Sequence, residues 1–172
     1  MIRVWTEDEA DLARCFDMYS RAEVVRWLGA PGLPLTEPGQ AVQAIRRWHA
    51  RHAGHGGRYG TWAIQVRDTG RIAGTVLFKP LPGRDESVPT SDIEVGWHLH
   101  PDSWGNGYAT EAARGAVERG FAAGLPEIYA VVAPGNHASI AVTRRLGMAP
   151  LGRRTDWYGG EELAAFVLRR PA

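Results

Sequence analysis

Pro101-Asp102-Ser103-Trp104-Gly105-Asn106-Gly107-Tyr108-Ala109-Thr110-Glu111 is the stretch on which the reading of this chain turns. A loop with two glycines runs straight into a helical pattern in which Ala109, Ala112, Ala113, Ala116, Val117 and Phe121 recur at steps of three and four. Gly124 ends it. Glycine lets a chain expose consecutive backbone N–H groups, and the first turn of a helix has donors without internal partners. Together they make a concave, partly positive site suited to phosphate oxygens. A plain turn leading into a helix has the same composition, so the segments on either side must discriminate.

Upstream, Asp92–His100 alternates: Ile93, Val95, Trp97 and Leu99 on one face, Glu94, Gly96, His98 and His100 on the other. That predicts a strand with one apolar and one polar face, as in a half-open sheet. Downstream, Ile128–Ala133 is a short apolar strand ended by Pro134-Gly135. Asn136 then caps a helix carrying Ile140, Val142 and Leu146, with Gly147 at its end. Leu151–Trp157 and Leu163–Arg169, joined around Gly159-Gly160, read as a final hairpin. Toward the N-terminus, Thr61–Arg67 and Ile72–Phe78 read as antiparallel strands around Asp68-Thr69-Gly70, followed by a loop with Pro80, Pro82, Gly83 and Pro89. The first third reads as a strand (Ile2–Trp5) and two or three helices. Thr6 to Glu9 is taken as a capping box, Ser20 and Glu23 as a second, with Gly29 and Pro31 closing that segment and Gln40–Ala53 forming a longer helix. The order β-α-α-β-β-β-α-β-α-β-β implies an α+β domain with a mixed sheet.

Composition narrows the function. The 172 residues suffice for one domain, and 44% hydrophobic with 23% charged residues fits a globular protein. A net charge of +1 speaks against a dedicated nucleic-acid binder. No apolar run approaches the roughly 18 residues of a membrane span, and the N-terminus lacks an apolar signal core. Cys15 is the single cysteine, so an internal disulfide and a Cys-based zinc site are excluded, and the expected location is the cytoplasm. Lys79 is the sole lysine among 20 basic residues, and no Gly-Lys pair of a Walker loop exists.

Three motifs in order, Ile93-Glu94-Val95-Gly96-Trp97, Trp104 to Ala112, and Asn136-His137-Ala138-Ser139-Ile140 with Leu146-Gly147-Met148, make the chain resemble the GNAT superfamily of N-acetyltransferases. Its ribosomal-protein-alanine N-acetyltransferase-like branch is the nearest in pattern. The strong likeness covers about residues 92–152, and the element order extends it over nearly the whole chain. The resemblance implies a three-layer α+β fold, a mixed, centrally splayed β-sheet flanked by helices, as a single domain over residues 1–172. It implies that acetyl-CoA lies where the strands Asp92–His100 and Ile128–Ala133 part, its pantetheine arm held by backbone groups of Trp97 and Leu99. Amides of Gly105, Asn106, Gly107, Tyr108 and Ala109 would cradle the pyrophosphate, and Asn136 would bond the cofactor near its reactive end. Trp104 stands where the broader motif has Gln or Arg. Thr143 occupies the register of a tyrosine acid found in many members, which leaves Ser139 as the substitute donor.

A protonated amine must lose a proton before attacking a thioester. Glu94 is the expected base, with His98 on the same nominal face as the alternative. The backbone N–H near Trp97 or His98 is the expected oxyanion donor. Direct attack in a ternary complex follows, because Cys15 lies far from the motifs. The acceptor is a small-molecule amine or a protein N-terminus; no metal, nucleic acid or membrane is called for, and a homodimer is compatible. Trp27, Trp48 and Tyr158 are expected to wall the acceptor site, with Gly54 to Gly60 as a mobile rim. His49, His52 and His55 read as a helix end rather than a metal site. Two other readings use the same residues. A silent acyl-CoA-binding module would keep the cradle without a productive base, and a dinucleotide-dependent oxidoreductase would use Gly105-x-Gly107-x-x-Thr110 with Glu127.

Overall fold

The computed structural model describes residues 1–29, 33–85 and 87–171. It resolves into two compact units, Met1–Leu77 with Trp97–Tyr108, and Phe78–Gly96 with Ala109–Ala172.

In the first unit, β1 (Ile2–Val4) pairs antiparallel with β2 (Gly60–Gln65), Ile2 opposite Ile64 and Val4 opposite Trp62. Between them run α1 (Glu9–Tyr19), the short α2 (Ala22–Val25) and α3 (Pro38–Gly54). Trp5, Cys15, Met18, Tyr19, Ile45, Ala63 and Ile72 form its core. Asp11, although buried, is matched by a bidentate contact with Arg3 at 2.7 Å on both oxygens. Helix starts differ from expectation. Asp8, not Thr6, caps α1 by accepting the Asp11 amide, while Thr6 bonds the Asp8 carboxylate and lends its own amide to Asp11. Ser20 closes α1 and bonds the Asp17 carbonyl, so it caps nothing downstream; Arg21 opens α2 without a side-chain cap. The reciprocal box lies instead at Glu37 and Gln40, with Pro38 between them as the first helical residue. Pro31, expected to close the second helical segment, lies outside the described residues.

Strands β3 (Ile72–Pro82) and β4 (Pro89–Leu99) each run through both units. Both are longer than the alternation suggested. Pro80, Pro82 and Pro89 belong to strands, not to a loop, and Thr90 Oγ1 bonds the Leu81 carbonyl across the pair. In the second unit α4 (Tyr108–Ala122) buries its alanine stripe, and Gly120 lets it approach the sheet: a Cβ there would lie 2.6 Å from Phe78 and 2.8 Å from Ile128. After α4 come β5 (Glu127–Val132), α5 (His137–Arg145), β6 (Ala149–Arg154) and β7 (Leu163–Arg169). β5 pairs antiparallel with β7 along its length and parallel with β4, Glu94 opposite Tyr129. The sheet order is β1-β2-β3-β4-β5-β7-β6, a mixed sheet flanked by helices. No described helix is long and apolar enough to cross a membrane.

Candidate active site

A 3-10 turn at Pro101–Ser103 follows β4, and the chain then passes through Gly105 and Gly107 into α4. Both glycines have positive φ, 79° and 80°, which only glycine adopts without strain. A Cβ at either would meet no atom within 4 Å, so the loop borders open space. Among the described residues, no side chain accepts from the amides of Gly105 to Ala109. Those donors stand available. Asn106 turns its Nδ2 back to the Trp104 carbonyl at 3.0 Å.

Trp104 is half exposed, and its indole N–H donates to the Leu99 carbonyl at 3.0 Å. It braces the loop against the end of β4. One acceptor position of Leu99, expected to hold the pantetheine arm, is thereby used within the protein. His100 is buried at the same strand end. Its Nε2 lies 2.9 Å from Asp17 Oδ2, and its Nδ1 accepts the Asp102 amide at 3.2 Å. Asp102 is also 2.8 Å from Arg14, whose guanidinium holds that carboxyl well below the usual carboxylate range. The loop is thus tied to α1 by charge-assisted bonds.

Glu94 departs from the open-face expectation. It is 4% exposed, because the face carrying it is covered. Lys79 Nζ, from β3, lies 2.6 Å from Glu94 Oε1. Tyr158, in a short turn after β6, donates its hydroxyl to the same oxygen and accepts from Lys79 Nζ at 2.9 Å. The Lys79 ammonium also lies 5.1 Å from the centre of the Tyr158 ring. Tyr158 has φ of 48°, the one non-glycine residue with positive φ among those described. Lys79 was marked in the sequence only as the sole lysine. Nothing in the pattern paired it with Glu94, since the proline-rich end of β3 read as a loop.

His98, the alternative base, falls in the first unit, while Glu94 falls in the second. The Tyr19 hydroxyl lies 3.0 Å from His98 Nδ1 and 3.0 Å from Thr75 Oγ1, and full burial pushes the Tyr19 phenol well up. In α5, Asn136 is the cap, its Oδ1 accepting the Ser139 amide at 3.1 Å. That leaves the Asn136 amide nitrogen for other partners. Thr143 is fully buried and its hydroxyl is bonded to the Ile140 carbonyl, so it has no catalytic reach.

The secondary candidates divide. Trp48 packs 5.7 Å from Trp5 and 5.8 Å from Tyr19 in the first unit's core, where it was expected to wall a site. Trp27 lies under the Arg26 guanidinium at 4.7 Å. Gly54 to Gly60 forms a bonded turn, with Gly57 N donating to the His52 carbonyl at 2.9 Å and His52 Nδ1 3.1 Å from the Tyr59 carbonyl. His49 bonds the Trp5 carbonyl. Among the described residues, no group of three or more His, Cys, Asp or Glu gathers to hold a metal.

The acetyltransferase (GNAT) domain model matches residues 1–149. The chain belongs to the GNAT acetyltransferase family. It is 31% identical over 153 residues to the uncharacterized N-acetyltransferase YoaA of Bacillus subtilis, covering 88% of this chain and 80% of that protein. Among solved structures, a ribosomal-protein-alanine N-acetyltransferase from Brucella melitensis superposes with a TM-score of 0.69 at 18% identity, covering 99% of each chain. YncA, a putative acetyltransferase from Salmonella typhimurium described with its cofactor acetyl-CoA, gives a TM-score of 0.70 at 18% identity, covering 100% of this chain and 94% of that one. This GNAT enzyme therefore uses acetyl-CoA to acetylate an amine acceptor, and the oxidoreductase and silent-module readings fall away. The uncapped amides and open glycines at the start of α4 fit the diphosphate of that donor.

Proposed function

We propose that this GNAT enzyme acetylates a small primary amine with partly apolar character, by direct attack in a ternary complex, with Glu94 as general base. The observation that carries the reading is a buried carboxylate on β4 held in one place by Lys79 and Tyr158. The near-neutral chain with seven tryptophans supports a small acceptor over a highly charged one.

Acetyl-CoA supplies an activated thioester. The residues that would hold it are the amides of Gly105, Asn106, Gly107, Tyr108 and Ala109 at its diphosphate, backbone groups of Trp97 and Leu99 along its arm, and the Asn136 amide nitrogen nearer the thioester. Trp104 supports these by fixing the loop. An amine with the basicity of a lysine or α-amino group arrives mostly protonated, so Glu94 takes its proton before or as the nitrogen attacks. One N–C bond forms and the C–S bond breaks; the first amine proton rests on Glu94, and a second leaves the nitrogen as it becomes an amide. A backbone N–H at Trp97 or His98 faces the charge that develops on oxygen. Ser139, in the first turn of α5, relays that second proton to the departing thiolate, its hydroxyl taking up the one shed by the nitrogen as it gives up its own. His98 is the alternative base. The 172 residues act as one catalytic domain.

The test is thiol release from acetyl-CoA across 2-phenylethylamine, tryptamine, a polyamine and a peptide with N-terminal alanine. Turnover is expected with the aryl amines above the peptide and the polyamine. Turnover with the peptide alone would replace the acceptor class with protein N-termini.

A further inference from the structure

Glu94 does not sit alone. Lys79, Tyr158 and Glu94 form a closed triangle within the second unit: ammonium to carboxylate at 2.6 Å, ammonium to phenol oxygen at 2.9 Å, and phenol O–H to carboxylate. The carboxylate and ammonium side chains are 5% and 15% exposed. Burial of this kind is costly unless each charge is matched, and here the two opposite charges meet. Both contacts converge on one oxygen, Oε1, so the carboxylate plane is held at one end. Tyr158 reaches it from a backbone conformation that costs free energy for a residue with a side chain, a cost that persists only where surroundings enforce it. A lone salt bridge would not need that conformation.

We propose that Lys79 and Tyr158 are positioning residues for Glu94, their ammonium and phenol fixing Oε1 so that Oε2 receives the proton of the acceptor amine. This rests on the reading of Glu94 as general base. The ammonium supplies the charge that keeps the carboxylate matched in a buried setting, and the phenol sets its rotation by donating to Oε1 while accepting from Lys79. Neither residue needs to touch the acceptor. Their effect belongs to the catalytic step, since a base displaced by about 1 Å can lose on the order of a hundredfold in rate.

The experiment measures kcat and both KM values for the best amine of the panel in Lys79→Met, Lys79→Arg, Tyr158→Phe and Glu94→Gln, and in the double variants that add Glu94→Gln. Lys79→Met is expected to lower kcat by about a hundredfold and Tyr158→Phe by about tenfold. KM for acetyl-CoA should stay within about twofold, and Lys79→Arg, which keeps a cation, should recover part of the loss. In the Glu94→Gln background, Lys79→Met should cost nothing further, because the group it positions is gone. A raised melting temperature with acetyl-CoA confirms that each variant is folded. Tyr158→Phe removes one oxygen and is the variant to read if Lys79→Met does not fold. Wild-type kcat in Tyr158→Phe and Lys79→Met beside a crippled Glu94→Gln overturns the positioning role and leaves the base in place. Full additivity of Lys79→Met with Glu94→Gln overturns it too. Wild-type kcat in Glu94→Gln removes the base itself.

Discussion

Gly74, on β3, is the position where substitution by alanine should be most informative about the sheet. A Cβ there would lie 2.2 Å from the His98 carbonyl oxygen and 2.7 Å from Leu99 Cα. Both are backbone atoms of β4, so no side-chain rotation relieves the contact, and the strands must move apart. Gly74 has no positive φ, which leaves steric overlap as the whole effect. Overpacking of a buried site typically costs 1–3 kcal/mol, and an overlap onto backbone belongs at the upper end, about 3 kcal/mol. For a chain of this size that corresponds to a melting temperature lower by about 6–12 °C. A functional effect should accompany it. The displaced strand end carries the Leu99 carbonyl that braces Trp104 and the His100 side chain that ties down Asp102. KM for acetyl-CoA should therefore rise while the protein remains folded at 25 °C. The assay is thermal melting with and without acetyl-CoA, alongside initial rates. A Gly74→Ala protein with the wild-type melting temperature and KM would refute the close approach of β3 and β4.

Three further expectations concern other sites. Gly107→Ala meets no atom within 4 Å but forces a side chain onto φ of 80°, so it should cost about 1–2 kcal/mol and raise KM for acetyl-CoA more than it lowers kcat, as initial rates will show. Asp102 is held in its ionised form in the folded state chiefly by the bond from Arg14; its contribution to stability is present above the ordinary carboxylate range and is lost as pH falls toward the folded value. Melting temperature should then fall less steeply from pH 5 to pH 3 in Asp102→Asn than in wild type. Burial pushes the Cys15 thiol up to about 12, so iodoacetamide at pH 8 should label it slowly in native protein and rapidly in urea; equal rates would contradict its packing.

Much of the fold could be read from local patterns because the periods were clean. The alanine stripe of α4 reports one buried face, the short apolar run of β5 marks a strand, and the Asn136 cap is a short-range bond to the Ser139 amide. Proline-rich ends of β3 and β4 were not readable, since proline argues against a strand unless its missing N–H faces away from a partner. The Thr6 and Ser20 caps failed for a different reason: several polar groups near a helix start compete locally, so Asp8 accepts the Asp11 amide while Thr6 turns to the Asp8 carboxylate and Ser20 to the Asp17 carbonyl. At the candidate site, Gly105 and Gly107, both of positive φ, stood out by their place ahead of a helix. The Lys79–Glu94–Tyr158 triangle did not, because it joins residues 79 and 64 positions from their partners and carries no spacing signal. Trp104 was legible as a departure from the family pattern, and only the structure showed its indole spent on Leu99.

The most direct measurement is the rate of thiol release by Glu94→Gln, at saturating acetyl-CoA and the best amine of the panel, compared with wild type under the same conditions. Loss of a positioned general base predicts a kcat lower by about 100-fold or more, with acetyl-CoA still raising the melting temperature as in wild type. Undiminished kcat in that variant would contradict the account.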